Sequence, residues 1–177
     1  MRKYIVMAIA AFAALAATSA ARAQTATQNI DITATVASYC TINDITAPAD
    51  LTATIPVTNG VVDTTVISNT IANVACNGIA DVVASSISGG VTTGGAPSSG
   101  TTNIIDYTGA ATFGSVTSTI DTSTNAAASG AETGNTATTT GAATGDLVVT
   151  ITPQQPSLPL MASAAYADTL RVTLTAQ

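Results

Sequence analysis

From residue 30 to residue 42 the chain reads I-D-I-T-A-T-V-A-S-Y-C-T-I. Ile30, Ile32, Ala34, Val36, Cys40 and Ile42 hold even positions, with Asp31, Thr33, Thr35 and Thr41 between them. A period of two predicts a strand with one face in a core and the other in water. The same alternation closes the chain over residues 166–175, where Leu170, Val172 and Leu174 alternate with Arg171, Thr173 and Thr175. Between these ends the sequence is strands and turns. Asn59-Gly60 separates L-T-A-T-I-P-V-T from V-V-D-T-T-V-I, and Asn77-Gly78 separates T-I-A-N-V-A-C from I-A-D-V-V-A-S-S-I. Both pairs carry the type I′ hairpin signal. Pro56 demotes its own run to an edge strand or a bulge.

Residues 88–100 are predicted as a Gly/Ser/Thr loop, followed by strand-like runs at 104–108 and 111–120. Residues 123–145 are rich in Ala, Thr and Gly, and they predict a long surface loop or a weak edge hairpin. Residues 146–152 read as a strand, and Pro153, Pro156 and Pro159 mark an irregular crossing after it. No stretch after residue 23 sustains a period of 3.6. The fold class expected is all-β, an antiparallel sandwich or barrel.

The N-terminus changes what counts as the folded chain. Arg2 and Lys3, an apolar run over residues 4–16 and Ala21-Arg22-Ala23 before Gln24 predict a secretory signal peptide spanning residues 1–23. The apolar run is shorter than the roughly 20 residues a membrane anchor needs. With the leader gone, Arg171 is the one cation against ten acidic residues, so the remaining 154 residues carry 1 − 10 = −9. A chain with one cation cannot neutralise several phosphates or adhere to anionic lipid by charge, which argues against nucleic-acid partners.

Past the leader the aromatics are only Tyr39, Tyr107, Phe113 and Tyr166, and Trp is absent. The core must be built from Val, Ile, Leu and Ala, each of which buries less than an aromatic ring. Cys40 and Cys76 are an even pair in an exported chain, which predicts a disulfide, with two buried free thiols as the alternative. Two Cys without any His are too few for a zinc site.

Catalysis has little to stand on. Past the leader there is neither His nor Lys, so the usual general base and amine nucleophile are missing. Asp121-Thr122-Ser123 is similar to the active-site triplet of aspartic proteases, but that chemistry needs two facing carboxylates sharing a proton. Asp in a turn after a strand is the ordinary reading. The expectation is a chain that is not an enzyme, with no cofactor and no metal.

Three segments carry a resemblance: "DITATVASYCTI", "IANVACNGIADVVASSISGG" and "AAYADTLRVTLT". With the leader, these resemble the spore coat U domain family, which includes major subunits of archaic chaperone–usher pili. The resemblance implies an immunoglobulin-like sandwich lacking its last strand, over residues 37–177. It also implies an N-terminal donor strand, residues 24–36, whose Ile30, Ile32, Ala34 and Val36 fill the groove of the next subunit. The closing segment, with Tyr166, Asp168, Leu170, Val172 and Leu174, is the family's C-terminal strand. Implied partners are other copies of the chain, a periplasmic chaperone and an outer-membrane usher. The implied location is a cell-surface fibre supporting adhesion or biofilm formation. The alternatives are a secreted coat or matrix protein of the same fold, and a secreted glycan-binding module.

Overall fold

The structure is a computed structural model that describes residues 32–42, 52–124, 130–162 and 165–177, in two units that divide after Thr35. The expected leader, Ile30 and Asp31 lie outside the described residues. In the first unit, residues 32–35 are exposed and belong to no strand.

The second unit, from Val36 onward, is built of strands. In chain order they are β1 (Cys40–Thr41), β2 (Val57–Thr58), β3 (Val61–Val62), β4 (Ile67–Cys76) and β5 (Ala80–Ser86). There follow β6 (Val91–Thr92), β7 (Ile104–Ile105), β8 (Tyr107–Phe113) and β9 (Val116–Asp121). The last are β10 (Glu132–Thr133), β11 (Ala137–Thr138), β12 (Ala143–Pro153) and β13 (Leu170–Ala176). One 3-10 turn, Thr122–Thr124, is the only helical element among the described residues. The expected all-β class holds.

Two main sheets share one core. The first has the order β1-β4-β12-β8-β9, and every pairing in it is antiparallel. In the second, β5 is central: β13 pairs along its full length, and the short β10 and β11 also pair with it. Val74, Ala111, Phe113 and Leu147 of the first sheet pack with Val82 and Ala84 of the second. Phe113 and Tyr107, the two aromatic rings buried here, both sit on β8. The other buried hydrophobic residues are Val, Ile, Leu and Ala together with Cys76, and Ser86, Ser118, Thr122 and Thr139 are buried beside them.

Several sequence expectations change in detail. Asn59 (φ 53°) and Gly60 (φ 78°) do join a hairpin, β2 to β3, with both central residues at positive φ as type I′ demands. Asn77-Gly78 does not make a hairpin, because β4 and β5 lie in different sheets. The Asn77 side chain accepts from the Tyr39 N–H at 2.8 Å and donates to the Ala37 carbonyl at 2.9 Å. It is committed to the incoming chain, so the turn carries the backbone across the core.

The run at 111–120 is split at Gly114 between β8 and β9, which pair as a hairpin. Within β4, Asn73 adopts φ 58° where the register to β12 shifts between Gly145 and Leu147. That bulge changes the parity of the strand, so Ile71 packs on the same core as Val74 and Cys76.

The low-complexity stretch is an edge after all, and it closes one seam of the core. β10 and β11 pair with β5, while between them Asn135 donates its N–H to the Thr119 carbonyl of β9 at 3.1 Å. Its side-chain Oδ1 accepts from the Thr119 N–H at 2.7 Å. Gly134 makes this approach possible: a Cβ there would stand 2.1 Å from the Thr119 carbonyl oxygen.

Candidate functional site

The disulfide is present. Cys40 on β1 is bonded to Cys76 on β4, closing a loop with a sequence separation of 36. By loop-closure entropy a ring of that length contributes about 3–4 kcal/mol. It fastens the two-residue β1 to the edge of the first sheet. No free cysteine occurs among the described residues.

The seam opposite Gly134 is unfinished. Ile87 N–H donates to the Thr169 carbonyl, and Gln177 N–H to the Ile79 carbonyl. Odd-numbered residues of this stretch therefore point their main-chain groups at β5. Even-numbered residues, Leu170, Val172, Leu174 and Ala176, point theirs to the other edge, where no strand pairs with β13 among the described residues.

The side chains of Leu170, Val172 and Leu174 turn inward and pack on the core. Leu170 reaches β8, with a methyl 3.3 Å from where a Cβ on Gly109 would stand. Yet all three stay half-exposed, while their partners on β5, Ser86, Ala84 and Val82, are 0% exposed. Ile42, just after β1, and Ile71 on β4 are likewise only partly buried against the core. An unpaired strand edge beside an open apolar surface is a place where an extended chain can add.

The residues expected to form a donor strand are placed as follows. Ile32 is 90% exposed, Val36 is 77% exposed and Ala34 is exposed, with no strand pairing over residues 32–39. Ile30 is outside the described residues.

Tyr166 and Asp168 precede the last strand instead of lying in it, and each is tied down by its side chain. Tyr166 Oη donates to the Met161 carbonyl at 2.8 Å. Asp168 is the hub of a knot. Its Oδ2 accepts from Ser86 Oγ at 2.5 Å and Tyr107 Oη at 2.7 Å. Its Oδ1 accepts from the Ser88 N–H at 2.9 Å and the Thr169 N–H at 2.7 Å. Ser86 Oγ in turn accepts from the Gly89 N–H at 2.7 Å.

Burial opposes ionisation of Asp168, but the hydrogen bonds from Ser86, Tyr107, Ser88 and Thr169 outweigh it and hold the carboxyl below its ordinary value. Burial raises the Tyr107 phenol well above its ordinary value, and the Asp168 carboxylate adds to that. Two segments that carried the resemblance, "SSISGG" and "AYADTL", meet here. The knot fixes where β13 starts and which face it turns inward. Ser86, Ser88 and Tyr107 were not singled out from sequence, because their partner lies about 60–80 residues away.

Asp121 sits at the end of β9. Its Oδ1 accepts from Ser123 Oγ at 2.7 Å, the Ser123 N–H at 3.0 Å and Gln154 Nε2 at 3.3 Å. The Ser123 hydroxyl, with help from its N–H and Gln154, holds the carboxyl below its ordinary value against a little burial. This is a capped turn. A cavity of about 570 Å³ beside it is lined by Thr108, Thr119, Asp121, Glu132 and Thr150, among others, and holds no aromatic ring. Among the described residues no group of three or more His, Cys, Asp or Glu is placed to hold a metal ion.

Comparison with protein-family models, with curated proteins and with solved structures returns no match.

Proposed function

We propose that the chain is a structural subunit of a chaperone–usher type surface pilus, similar to the spore coat U kind. On this reading it is an immunoglobulin-like sandwich that lacks its last strand and polymerises by donor-strand exchange. An immunoglobulin constant-type sandwich orders its strands A-B-E-D in one sheet and C-F-G in the other. With β1 as A, β4 as B, β5 as C, β8 as D, β12 as E and β13 as F, the sheets contain the orders A-B-E-D and C-F, with β9 as an added strand beside D and the short β10 and β11 on the far side of C. The place of G is the unpaired edge of β13.

The observation that carries the reading is the half-exposed inward face of β13 beside the fully buried inward face of β5. The segment to fill it is residues 24–36 of another copy, with Ile30, Ile32, Ala34 and Val36 turned inward. Before assembly a periplasmic chaperone fills the same place, and an outer-membrane usher delivers the subunit to a cell-surface fibre. The subunit is not an enzyme on this reading, and it needs no cofactor.

The larger donor side chains, Ile30, Ile32 and Val36, contribute about 1.5–3 kcal/mol each on burial. An Asp at the centre of the stripe buries an unpaired carboxylate at every joint, a cost of several kcal/mol. Ile32→Asp should therefore abolish polymer while the soluble subunit persists at wild-type level, with Thr33→Ser on the polar face as control. Polymer is read by sedimentation, subunit level by immunoblot of the periplasm. If Ile32→Asp instead removes the soluble subunit, the strand belongs to its own core and the proposal fails.

A further inference from the structure

A period-two stripe sets which face of a donor strand points inward, but not how far along the edge it sits. Sliding by two residues keeps every apolar side chain on the correct face. Something else must choose the register, and the charges of this chain are suited to do so.

Past the leader, Arg171 is the only cation, and it stands on β13 itself, at the unpaired edge. It is exposed, on the outward face between the inward Leu170 and Val172. Its pair across β5 is Ser85, and no ion pair to Arg171 occurs among the described residues. Asp81, the one acidic residue of β5, pairs with Thr175 at the far end of the strand, where Thr138 and Gln177 hydrogen-bond its carboxylate. Across residues 24–43 the single charged residue is Asp31. It falls on an odd position, the polar face of the alternating segment.

We propose that Asp31 of the incoming copy pairs with Arg171 of the receiving copy, and that this ion pair fixes the register of the joint. The inference rests on the donor-strand reading above. With Ile30 and Ile32 inward beside Leu170, Val172 or Leu174, Asp31 is on the same outer face as Arg171. Because Arg171 turns its main-chain groups toward β5, an antiparallel partner opposite it forms a non-hydrogen-bonded pair, the spacing at which cross-strand side chains come closest. A neighbour one pair along, on the diagonal, is still within reach of an arginine. Each copy carries −9 past the leader, so copies repel one another. The only cation is placed where an acidic partner arrives, and it rewards a copy whose Asp is in step.

The test is a charge swap in the full chain, exported and assembled as it is in the cell. Asp31→Arg alone and Arg171→Asp alone each set like charges together. Each should reduce polymer yield about three- to tenfold at low salt, the scale of a cross-strand charge pair lost and replaced by repulsion. Asp31→Arg combined with Arg171→Asp should return yield to within about twofold of wild type. The differences should fade in about 1 M salt, where the screening length is about 3 Å. A purely structural role for Arg171 would give neither rescue nor salt dependence. Ile32→Asp runs alongside. If it abolishes polymer while the single reversals assemble normally, or the double variant stays as poor as the singles, the ion pair is refuted and the donor reading stands. If Ile32→Asp still polymerises, the donor reading itself falls.

Discussion

Along the seam between β9 and β5, residues 130–139 lie over the core and bond to both sheets. Along the opposite seam, between β1 and β13, no comparable segment lies among the described residues. The consequence is visible on neighbouring strands of one sheet. Val82, Ala84 and Ser86 of β5 are entirely buried, while their partners Leu174, Val172 and Leu170 of β13 remain half-exposed. Both strands alternate, and both turn apolar side chains to the same core. What differs is the cover. A closed seam needs a short, small-residue connector that can touch two sheets at once, and the Ala/Thr/Gly stretch supplies it. An open seam leaves apolar area and main-chain groups uncovered, and the cost of that exposure falls on the isolated chain.

The sharpest way to break this comparison is to damage the closed seam. Gly134→Ala places a methyl against the Thr119 carbonyl oxygen, at a separation no relaxation of a side chain can relieve. The connector must lift, at a cost of about 3 kcal/mol. Denaturant unfolding reads the loss, and hydrogen exchange at the Thr119 amide should accelerate with it. An unaltered midpoint would mean that the connector does not hold the seam.

A matched pair of truncations sharpens the contrast. Val82→Ala on β5 and Val172→Ala on β13 remove the same methyl groups from the same face of adjacent strands. In the isolated chain Val82→Ala should cost about 2 kcal/mol, since the site is wholly buried. Val172→Ala should cost less than half of that. If the chain assembles as proposed, the two should converge in polymer, because a donor strand would then cover Val172. Equal costs in the isolated chain would remove the distinction between the seams.

The smallest effect is in acid. The knot holds Asp168 below the ordinary 3.8, so the unfolded chain binds the proton more readily than the folded one. Stability from this group is fully present above about pH 4 and is lost as pH falls through the lower, folded value. Asp106 works in the opposite sense: burial, with the nearby Asp121 and Glu132 charges, raises it, so folding favours its protonated form. Asp168→Asn should therefore flatten the acid limb of stability, whereas Asp106→Asn should steepen it. Urea midpoints from pH 5 to pH 2.5 decide the signs.

Local pattern was enough for much of this. Alternation located β13, and strand-forming runs beside turn signals located β4, β5 and β12; the strand expected from alternation over residues 30–42 is present only at Cys40–Thr41 among the described residues. The Asn59-Gly60 turn and the disulfide were legible too, one from the φ demands of two adjacent residues and the other from an even cysteine count. These are properties of neighbouring residues or of composition, and the chain carries them wherever it goes. Asn77-Gly78 misled because the turn signal is local while its outcome is not. The Asn77 amide is taken up by the backbone at Ala37 and Tyr39, and the chain crosses to the other sheet.

The Asp168 knot lay beyond sequence reading for the same reason. Ser86, Ser88, Tyr107 and Asp168 come from three distant segments, and only packing decides that one carboxylate receives all of their donors. Which seam is closed was likewise left to the tertiary structure. The composition of residues 123–145 says only that they are small and polar. That Gly134 and Asn135 come to rest between β5 and β9 follows from where those two edges stand. Local sequence determined the long strands β5, β12 and β13 and the charges along them, but not the ends of the short strands nor the bulge that switches faces within β4. Tertiary structure decided the order of the strands and which edge was left unpaired, because main-chain hydrogen bonding is indifferent to residue identity and is settled by the sum of long-range contacts.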